Sequence, residues 1–178
     1  FNTGTSWQNF NNKDYNPVNL YSATKEAFFK ILYYYHVAHD IDCINIKLFD
    51  SYGPNDKRKK LFYHINSAVN NKDNFDMTSG NQKINILHVE DICNGFILAL
   101  KLLNKKKNIF KSYALSADKL ISLKELVNKY LKINDLNLKI NWGKKKYKKR
   151  EVMKPWSKFE LLPGWKPLIK LDKGLKLK

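Results

Sequence analysis

The stretch YSATKEAFFKILYYYHVAHDIDCINIKLF, residues 21–49, decides the fold class of this chain. Between residues 22 and 39 the apolar side chains recur at helical spacing, with no Pro or Gly between them, which predicts one long helix. The apolar members of that pattern are Ala23, Ala27, Phe28, Ile31, Leu32, Tyr35 and Ala38. Residues 42–49, DCINIKLF, form a short apolar run that predicts a buried strand. A helix that leads directly into a buried strand indicates an α/β fold with a parallel sheet.

The rest of the chain continues the same pattern of strands and helices. Residues 1–6 predict a strand end, and the Asn-, Asp- and Pro-containing residues 7–19 predict a loop. Glu90-Asp91 is expected to cap one helix, and Ser122 with Glu125 forms a capping box at the start of another. Further helices are predicted at residues 60–70, 92–103 and 122–131, and strands at 75–77, 84–89 and 113–116. The tail after Asn141 is predicted to be irregular.

Composition limits the class of protein. The chain has 178 residues, of which 43% are hydrophobic, and these values are typical of a globular domain. No apolar run reaches the roughly 20 residues that a bilayer span needs, so we expect a cytoplasmic protein without a membrane partner. Cys43 and Cys93 lie in apolar runs without CxxC spacing, which predicts two buried thiols in a reducing compartment. The chain begins with Phe1 and shows no signal peptide, so we expect the sequence to begin in mid-protein.

The formal net charge of +17 raises nucleic acid as a partner, because basic surfaces bind phosphates regardless of sequence. The surplus comes nearly all from lysines that are scattered through loops and helix faces, and the basic run of residues 144–150 also suits a solvated loop. We therefore expect no nucleic-acid partner and keep a basic nucleic-acid-binding domain as a further alternative. His36, His39 and Asp40 do not share one helix face, so no metal site is predicted.

Tyr21 and Lys25 give the sharpest chemical signal, since a separation of four residues places both side chains on one helix face. A phenol has an ordinary pKa of about 10, and bringing such a pKa near 7 needs about 4 kcal/mol of preference for the phenolate. A neighbouring ammonium supplies an interaction of that sign. The pair alone also suits an ordinary amphipathic helix, so the surrounding motifs decide between the two interpretations.

Three motifs accompany this pair in a fixed order. TGTSW, residues 3–7, ends a predicted strand, where a hydroxyl could bond the substrate oxygen that the tyrosine protonates. LFDSYGP, residues 48–54, ends the buried strand, and ILHVED, residues 86–91, leads into a helix. This order resembles the extended short-chain dehydrogenase/reductases of the NAD-dependent epimerase/dehydratase family. REVMKPW and LPGWKP, residues 150–156 and 162–167, are similar to the closing segment of bacterial members that act on deoxysugar nucleotides.

The resemblance implies a role for each catalytic position. Tyr21 would be the general acid/base, and Lys25 would favour its phenolate form and hold the nicotinamide ribose. Thr3 matches the Ser/Thr helper, with Thr5 as a competitor for that role and otherwise a substrate contact. Phe49 would lie near the nicotinamide of NAD or NADP.

The resemblance also implies a nucleotide-sugar substrate. Asp50 stands where most relatives have an Asn that contacts the sugar nucleotide. Arg58, Lys60 and Arg150 are candidates for its diphosphate or ribose, because fixed cations suit a doubly charged ligand. A homodimer through the long helix is possible, since that helix packs between subunits in many relatives.

Three departures limit what the resemblance implies. Gly4-Thr5 stands where dehydratases of the family have an Asp-Glu pair, so sugar dehydration is not expected. Ile84, beside Lys83, stands where the family usually has a phosphate-binding Arg. No GxxGxxG turn follows any predicted strand, so the amino-terminal coenzyme-binding half of the family is expected to be absent.

These observations predict the carboxy-terminal part of a Rossmann-like parallel sheet plus a small α+β substrate-binding domain. Residues 1–53 would end the coenzyme domain, and residues 54–178 would form the substrate-binding region, with 84–103 returning to the coenzyme domain. The predicted activity is NAD(P)-dependent epimerisation or keto-reduction of a nucleotide-activated deoxysugar. The alternative is a truncated, catalytically inactive fragment of such an enzyme.

Overall fold

A computed structural model describes residues 1–54 and 56–177. Two 3-10 turns, Ser6–Gln8 and Phe10–Asn12, follow the first strand. The strands and α-helices, in chain order, are β1 (Asn2–Thr5), α1 (Leu20–His39), β2 (Cys43–Leu48), β3 (Asp50–Tyr52), α2 (Leu61–Asn71), β4 (Phe75–Met77), β5 (Lys83–Ile84), β6 (Ile86–His88), α3 (Val89–Lys105), β7 (Phe110–Ala114), β8 (Ile121–Ser122), α4 (Leu123–Ile133), β9 (Ile140–Trp142) and α5 (Leu171–Gly174).

The central sheet confirms the predicted α/β class. It has the strand order β1-β2-β7, and both pairings are parallel. Thr3 pairs with Ile46 and Thr5 with Leu48, so β1 and β2 end at the same edge of the sheet. Helix α1 connects these parallel strands and therefore runs back across the sheet, which brings its first turn to that same carboxyl edge.

One face of this sheet carries a line of polar side chains. The Nδ2 of Asn2 donates to Oδ1 of Asn45 at 2.9 Å, and the Nδ2 of Asn45 donates to Oγ of Ser112 at 2.8 Å. Asn45 is fully buried, so these hydrogen bonds satisfy groups that water does not reach. The line crosses all three strands.

Helix α1 forms as predicted, but it meets the protein through a different face. Its buried residues are the polar Ser22 and Glu26, whereas Phe28 is 50% exposed and Ile31 and Tyr35 are also exposed. The apolar positions that mark the helix in the sequence are thus not the positions through which it packs. Glu26 accepts a hydrogen bond from the buried Gln8 in the turn after β1, and the Ser22 hydroxyl donates to the Asn19 carbonyl at 2.8 Å. The homodimer through this helix stays a prediction.

The protein has two separate apolar cores. The first lies between the central sheet and α3, around Ile44, Ile46, Leu87, Ile92, Ala99, Ile109, Tyr113, Leu115 and Leu162. The second surrounds α2 and α4 and contains Tyr52, Ile65, Met77, Leu126, Val127, Tyr130 and Leu175. The division into residues 1–53 and 54–178 stays a prediction.

Local details differ from the sequence-based expectations. Helix α3 begins at Val89, and its cap is His88, whose Nδ1 accepts from the Glu90 amide, rather than Glu90-Asp91. The strand predicted over residues 84–89 is divided into β5 and β6 at Asn85, whose side chain bonds Ser116 and Ala117 instead. Cys43 is buried as predicted, but Cys93 lies on the exposed side of α3.

The tail after Asn141 is more ordered than predicted, and we call residues 150–177 the closing segment. It includes α5 and forms backbone hydrogen bonds with Ala114 at the end of β7. Asp91, which is 1% exposed, holds it through two hydrogen bonds. One carboxylate oxygen accepts from the Leu168 amide and the other from the Ile169 amide, each at 3.0 Å.

Candidate active site

The carboxyl edge of the central sheet gathers the predicted catalytic residues. Thr3 and Thr5 alternate with the buried Asn2 and Gly4 along β1, so both threonine side chains lie on the same face of the strand. The Thr5 hydroxyl oxygen accepts from the Trp7 amide at 3.3 Å. Within residues 1–54 and 56–177, the Thr3 hydroxyl has no hydrogen-bond partner in the structure. Thr3 is therefore the freer of the two to bond a substrate oxygen.

Tyr21 and Lys25 occupy the first turns of α1. The Asn19 side chain accepts from the Ser22 amide at 3.0 Å and so caps the helix directly before them. The Lys25 Nζ lies 5.9 Å from the centre of the Tyr21 ring, and Tyr21 is 54% exposed. The two side chains are thus side by side, as their spacing predicts, and the tyrosine is accessible to a ligand.

Phe49 and Asp50 follow the end of β2 at the same edge. The Phe49 ring packs edge-on against Phe159 of the closing segment, with ring centres 5.5 Å apart. Asp50 begins β3, where its amide donates to the Asn85 carbonyl at 3.0 Å. Burial raises the pKa of the Asp50 carboxyl, and the charges of Lys60 and Arg58 oppose part of that rise.

A cavity of about 1140 Å³ opens beside Asp50. Arg58 and Lys60 line it together with Asp50, so three of the predicted substrate-binding residues share one space. Arg58 donates from Nε and Nη2 to the two oxygens of Asp56, at 2.7 and 2.6 Å, and this hydrogen bonding lowers the Asp56 pKa. Trp7 also lines the cavity, although sequence reasoning gave it no role.

The closing segment completes the far side of this cavity. Ile169, Lys173 and Lys176 line it, and the two lysines add positive charge that sequence reasoning also missed. No sequence signal marks them, because only the fold brings the end of the chain to this place. Gly174 lies next to Tyr52, and burial, with lesser contributions from Asp91 and Asp172, raises the pKa of Tyr52 to about 12.

Arg150 is not brought to this cavity. Its Nη2 donates to the Asn16 side chain at 2.6 Å and to the Pro17 carbonyl at 2.8 Å, and its guanidinium lies 4.6 Å from the centre of the Phe10 ring. In this structure Arg150 therefore ties the closing segment to the loop that precedes α1.

These residues fit one end of a nicotinamide coenzyme. The accessible phenol of Tyr21 and the ammonium of Lys25 suit the hydroxyl groups of a ribose, and Phe49 offers an apolar ring at the same edge. The seven glycines of the chain include no GxxGxxG, so the sequence supplies no glycine-rich turn for the pyrophosphate end.

Sequence comparison agrees with this geometry. A model of the NAD dependent epimerase/dehydratase family matches residues 4–111, which is more than half of the chain. The chain belongs to the NAD-dependent epimerase/dehydratase family. The matched region of this family member contains both Tyr21 and Lys25 and ends in β7.

Two relatives with the same function name are similar along nearly the whole chain. CDP-abequose synthase of Salmonella muenchen is 27% identical over 168 residues, or 92% of this chain and 56% of the relative. The CDP-abequose synthase of Yersinia pseudotuberculosis is 28% identical over 159 residues, or 89% of this chain and 55% of the relative. This family member thus spans little more than half the length of the curated relatives it matches.

A solved structure shows the same fold. UDP-glucuronic acid 4-epimerase from Bacillus cereus, in complex with UDP-glucuronic acid and NAD, superposes with a TM-score of 0.82 at 19% identity. The match covers 97% of this family member and 57% of that chain. Among the described residues, no helix is both long and apolar enough to span a bilayer, and no three His, Cys, Asp or Glu residues are grouped as metal ligands.

Proposed function

We propose that the whole protein transfers a hydride between a nicotinamide coenzyme and a carbon of a nucleotide-activated deoxysugar, with Tyr21 as the general acid/base. The observation that carries the proposal is the accessible Tyr21–Lys25 pair on the first turns of α1, at the edge where the two threonines of β1 lie. The bound coenzyme, NAD or NADP, supplies or accepts the hydride. Residues of this chain supply proton transfer and hold the sugar in position.

Tyr21 moves the proton that accompanies the hydride. In reduction, its hydroxyl donates a proton to the carbonyl oxygen of the sugar, and in oxidation the phenolate accepts a proton from the sugar hydroxyl. Lys25 stabilises the phenolate through its positive charge, because it lies beside the ring. The Thr3 hydroxyl donates a hydrogen bond to the same sugar oxygen and so holds it in line with Tyr21.

The cavity beside Asp50 is where we place the nucleotide and its diphosphate. Lys60 directly precedes α2, whose first turn contains no acidic residue, so the amide groups of that turn and the lysine both favour an anion. Asp56 holds Arg58 in the loop after β3 through two hydrogen bonds. The planar guanidinium of Arg58 suits the oxygens of a diphosphate. The CDP-abequose synthases support a CDP-linked deoxysugar as the first substrate to test.

The experiment measures turnover of CDP- and UDP-linked keto-deoxysugars by the whole protein. Loss of reduced-nicotinamide absorbance with NADH or NADPH would identify a reductase. Interconversion of two sugar stereoisomers without net loss of coenzyme would identify an epimerase. If neither reaction occurs with these nucleotide sugars, the proposed function is contradicted.

Tyr21→Phe tests the assignment of the acid/base. We expect turnover to be lost while binding of the nucleotide sugar, measured by calorimetry, changes little, because the substitution removes only the proton-transfer group. Tyr15→Phe is the matched control, since Tyr15 is exposed in the loop before α1. Ordinary turnover in Tyr21→Phe would exclude Tyr21 as the acid/base.

A further inference from the structure

Gln8 connects the end of β1 to helix α1. It is fully buried, with 0% of its surface exposed, and both the oxygen and the nitrogen of its side-chain amide form hydrogen bonds. The Oε1 accepts from the Thr5 amide at 2.7 Å, and the Nε2 donates to Oε2 of Glu26 at 2.5 Å. Two elements that come from different parts of the chain are thus joined through one amide side chain.

Glu26 lies where it can set the rotation of α1. It follows Lys25 directly, just as the buried Ser22 follows Tyr21. Successive helix residues are turned by about 100°, so burying Ser22 and Glu26 presents Tyr21 and Lys25 at the side of the contact. A rotation of the helix that broke the Gln8–Glu26 hydrogen bond would move both catalytic candidates relative to the threonines of β1.

Gly4 leaves the space that this connection needs. A Cβ at residue 4 would lie 2.7 Å from the Gln8 Oε1 and 3.1 Å from the Lys47 side chain. Lys47 donates to Oδ1 of Asn9 at 2.6 Å in the same buried region, and burial lowers its pKa. Two residues of the turn 6–9 are therefore held by buried side-chain hydrogen bonds, Gln8 by Glu26 and Asn9 by Lys47.

We infer that Gln8 and Glu26 are positioning residues, which hold the threonines of β1 and the Tyr21–Lys25 pair of α1 at a fixed separation through their buried side-chain hydrogen bond. The inference rests on the proposed function for its consequence, since this separation decides whether Thr3 and Tyr21 reach the same substrate oxygen. Neither residue lines the cavity beside Asp50, so neither is expected to affect binding of the nucleotide sugar directly.

Exchanging the two side chains tests this inference in the whole protein. Gln8→Glu alone removes the amide donor and places two carboxyl groups face to face, whose repulsion is relieved only when one of them takes up a proton. The double variant Gln8→Glu/Glu26→Gln restores the hydrogen bond with reversed polarity, because a carboxylate at 8 still accepts from the Thr5 amide and also from the new amide at 26. We expect kcat to fall about 10- to 100-fold in Gln8→Glu with KM unchanged, since small misplacements of reacting groups have effects of that size.

The double variant should recover kcat to within a few-fold of the wild type. The matched control is Lys30→Gln, which removes the 3.7 Å ion pair between the exposed Lys30 ammonium and Glu26 and should leave kcat unchanged, because it keeps the Gln8–Glu26 hydrogen bond. The inference is overturned if kcat per folded molecule in Gln8→Glu stays within about twofold of the wild type. It is also overturned if the exchange restores thermal stability but not kcat.

Hydrogen–deuterium exchange keeps the test independent of turnover. We expect faster exchange of the first turns of α1 in Gln8→Glu, and wild-type protection in the double variant, because the altered contact is the one between residue 8 and Glu26 of that helix. Unchanged protection in Gln8→Glu would overturn the inference even if the whole protein proved inactive. Absence of turnover in the wild type would contradict the proposed function alone.

Discussion

Asp91→Ala is expected to release the closing segment. The carboxylate of Asp91 is 1% exposed and accepts from the Leu168 and Ile169 amides. A hydrogen bond to a charged group contributes about 1.5–3 kcal/mol, so two of them account for about 3–6 kcal/mol. Since the free energy of unfolding of a domain is about 5–15 kcal/mol, the variant should lose a large fraction of it.

Urea unfolding followed by tryptophan fluorescence measures this loss in the whole protein. Trp165 reports on the segment directly, because its Nε1 donates to the Asp91 carbonyl at 3.0 Å. Asp172→Ala is the matched control, since Asp172 lies on the same segment and pairs with Lys129 at the surface. An exposed pair contributes about 0.2–1 kcal/mol.

The two variants should therefore differ severalfold in their loss of unfolding free energy. Equal, small losses would show that Asp91 does not hold the closing segment. Because Lys173 and Lys176 of that segment line the cavity, Asp91→Ala should also weaken binding of the nucleotide sugar under conditions where the protein is still folded.

Three further predictions concern Asp50, Gly80 and the two lysines of the closing segment. Asp50→Asn should raise the free energy of unfolding at neutral pH, because burial raises the folded-state pKa of the carboxyl and the ionised form opposes folding above the unfolded-state pKa. In the wild type, stability should therefore increase as pH falls through the folded-state pKa. Urea midpoints should show this pH dependence in the wild type and not in the variant. Gly80→Ala should destabilise by about 1–3 kcal/mol in urea unfolding, because Gly80 has φ of +73° and a Cβ would lie 2.7 Å from the Trp142 ring. Lys173→Glu/Lys176→Glu should raise KM for the nucleotide sugar, and the increase should shrink at high salt, whereas a KM insensitive to both changes would place the diphosphate elsewhere.

Local sequence patterns predict the elements of this fold well. The helical spacing after Tyr21 predicts α1, the apolar run before Asp50 predicts β2, and the Ser122–Glu125 capping box marks the start of α4. Each of these signals depends on residues that are close in the chain, which is why one sequence suffices to find them. The pairing of Tyr21 with Lys25 is a local signal of the same kind.

Contacts between distant residues account for what the sequence does not predict. The apolar positions of α1 do not show that the helix buries Ser22 and Glu26, because the contact of Glu26 depends on Gln8, which only the fold brings to it. Strand β9 forms only by pairing with β4, which lies more than sixty residues earlier in the chain. Gln8 had a local signal, since Thr5-x-x-Gln8 matches the capping-box pattern, but its bond to Glu26 depends on the fold.

The line of Asn2, Asn45 and Ser112 has a consequence for strand alignment. If β1 slipped by one residue along β2, Asn2 would turn to the apolar face and Asn45 would lose its buried partner, at a cost of about 1–3 kcal/mol for each unsatisfied group. The hydrogen bonds of Asn2, Asn45 and Ser112 thus keep the two strands in phase. This register also fixes the threonines at the end of β1 relative to Phe49 at the end of β2. The side chains of Asn2, Asn45 and Ser112 therefore determine the geometry of the carboxyl edge without taking part in its chemistry.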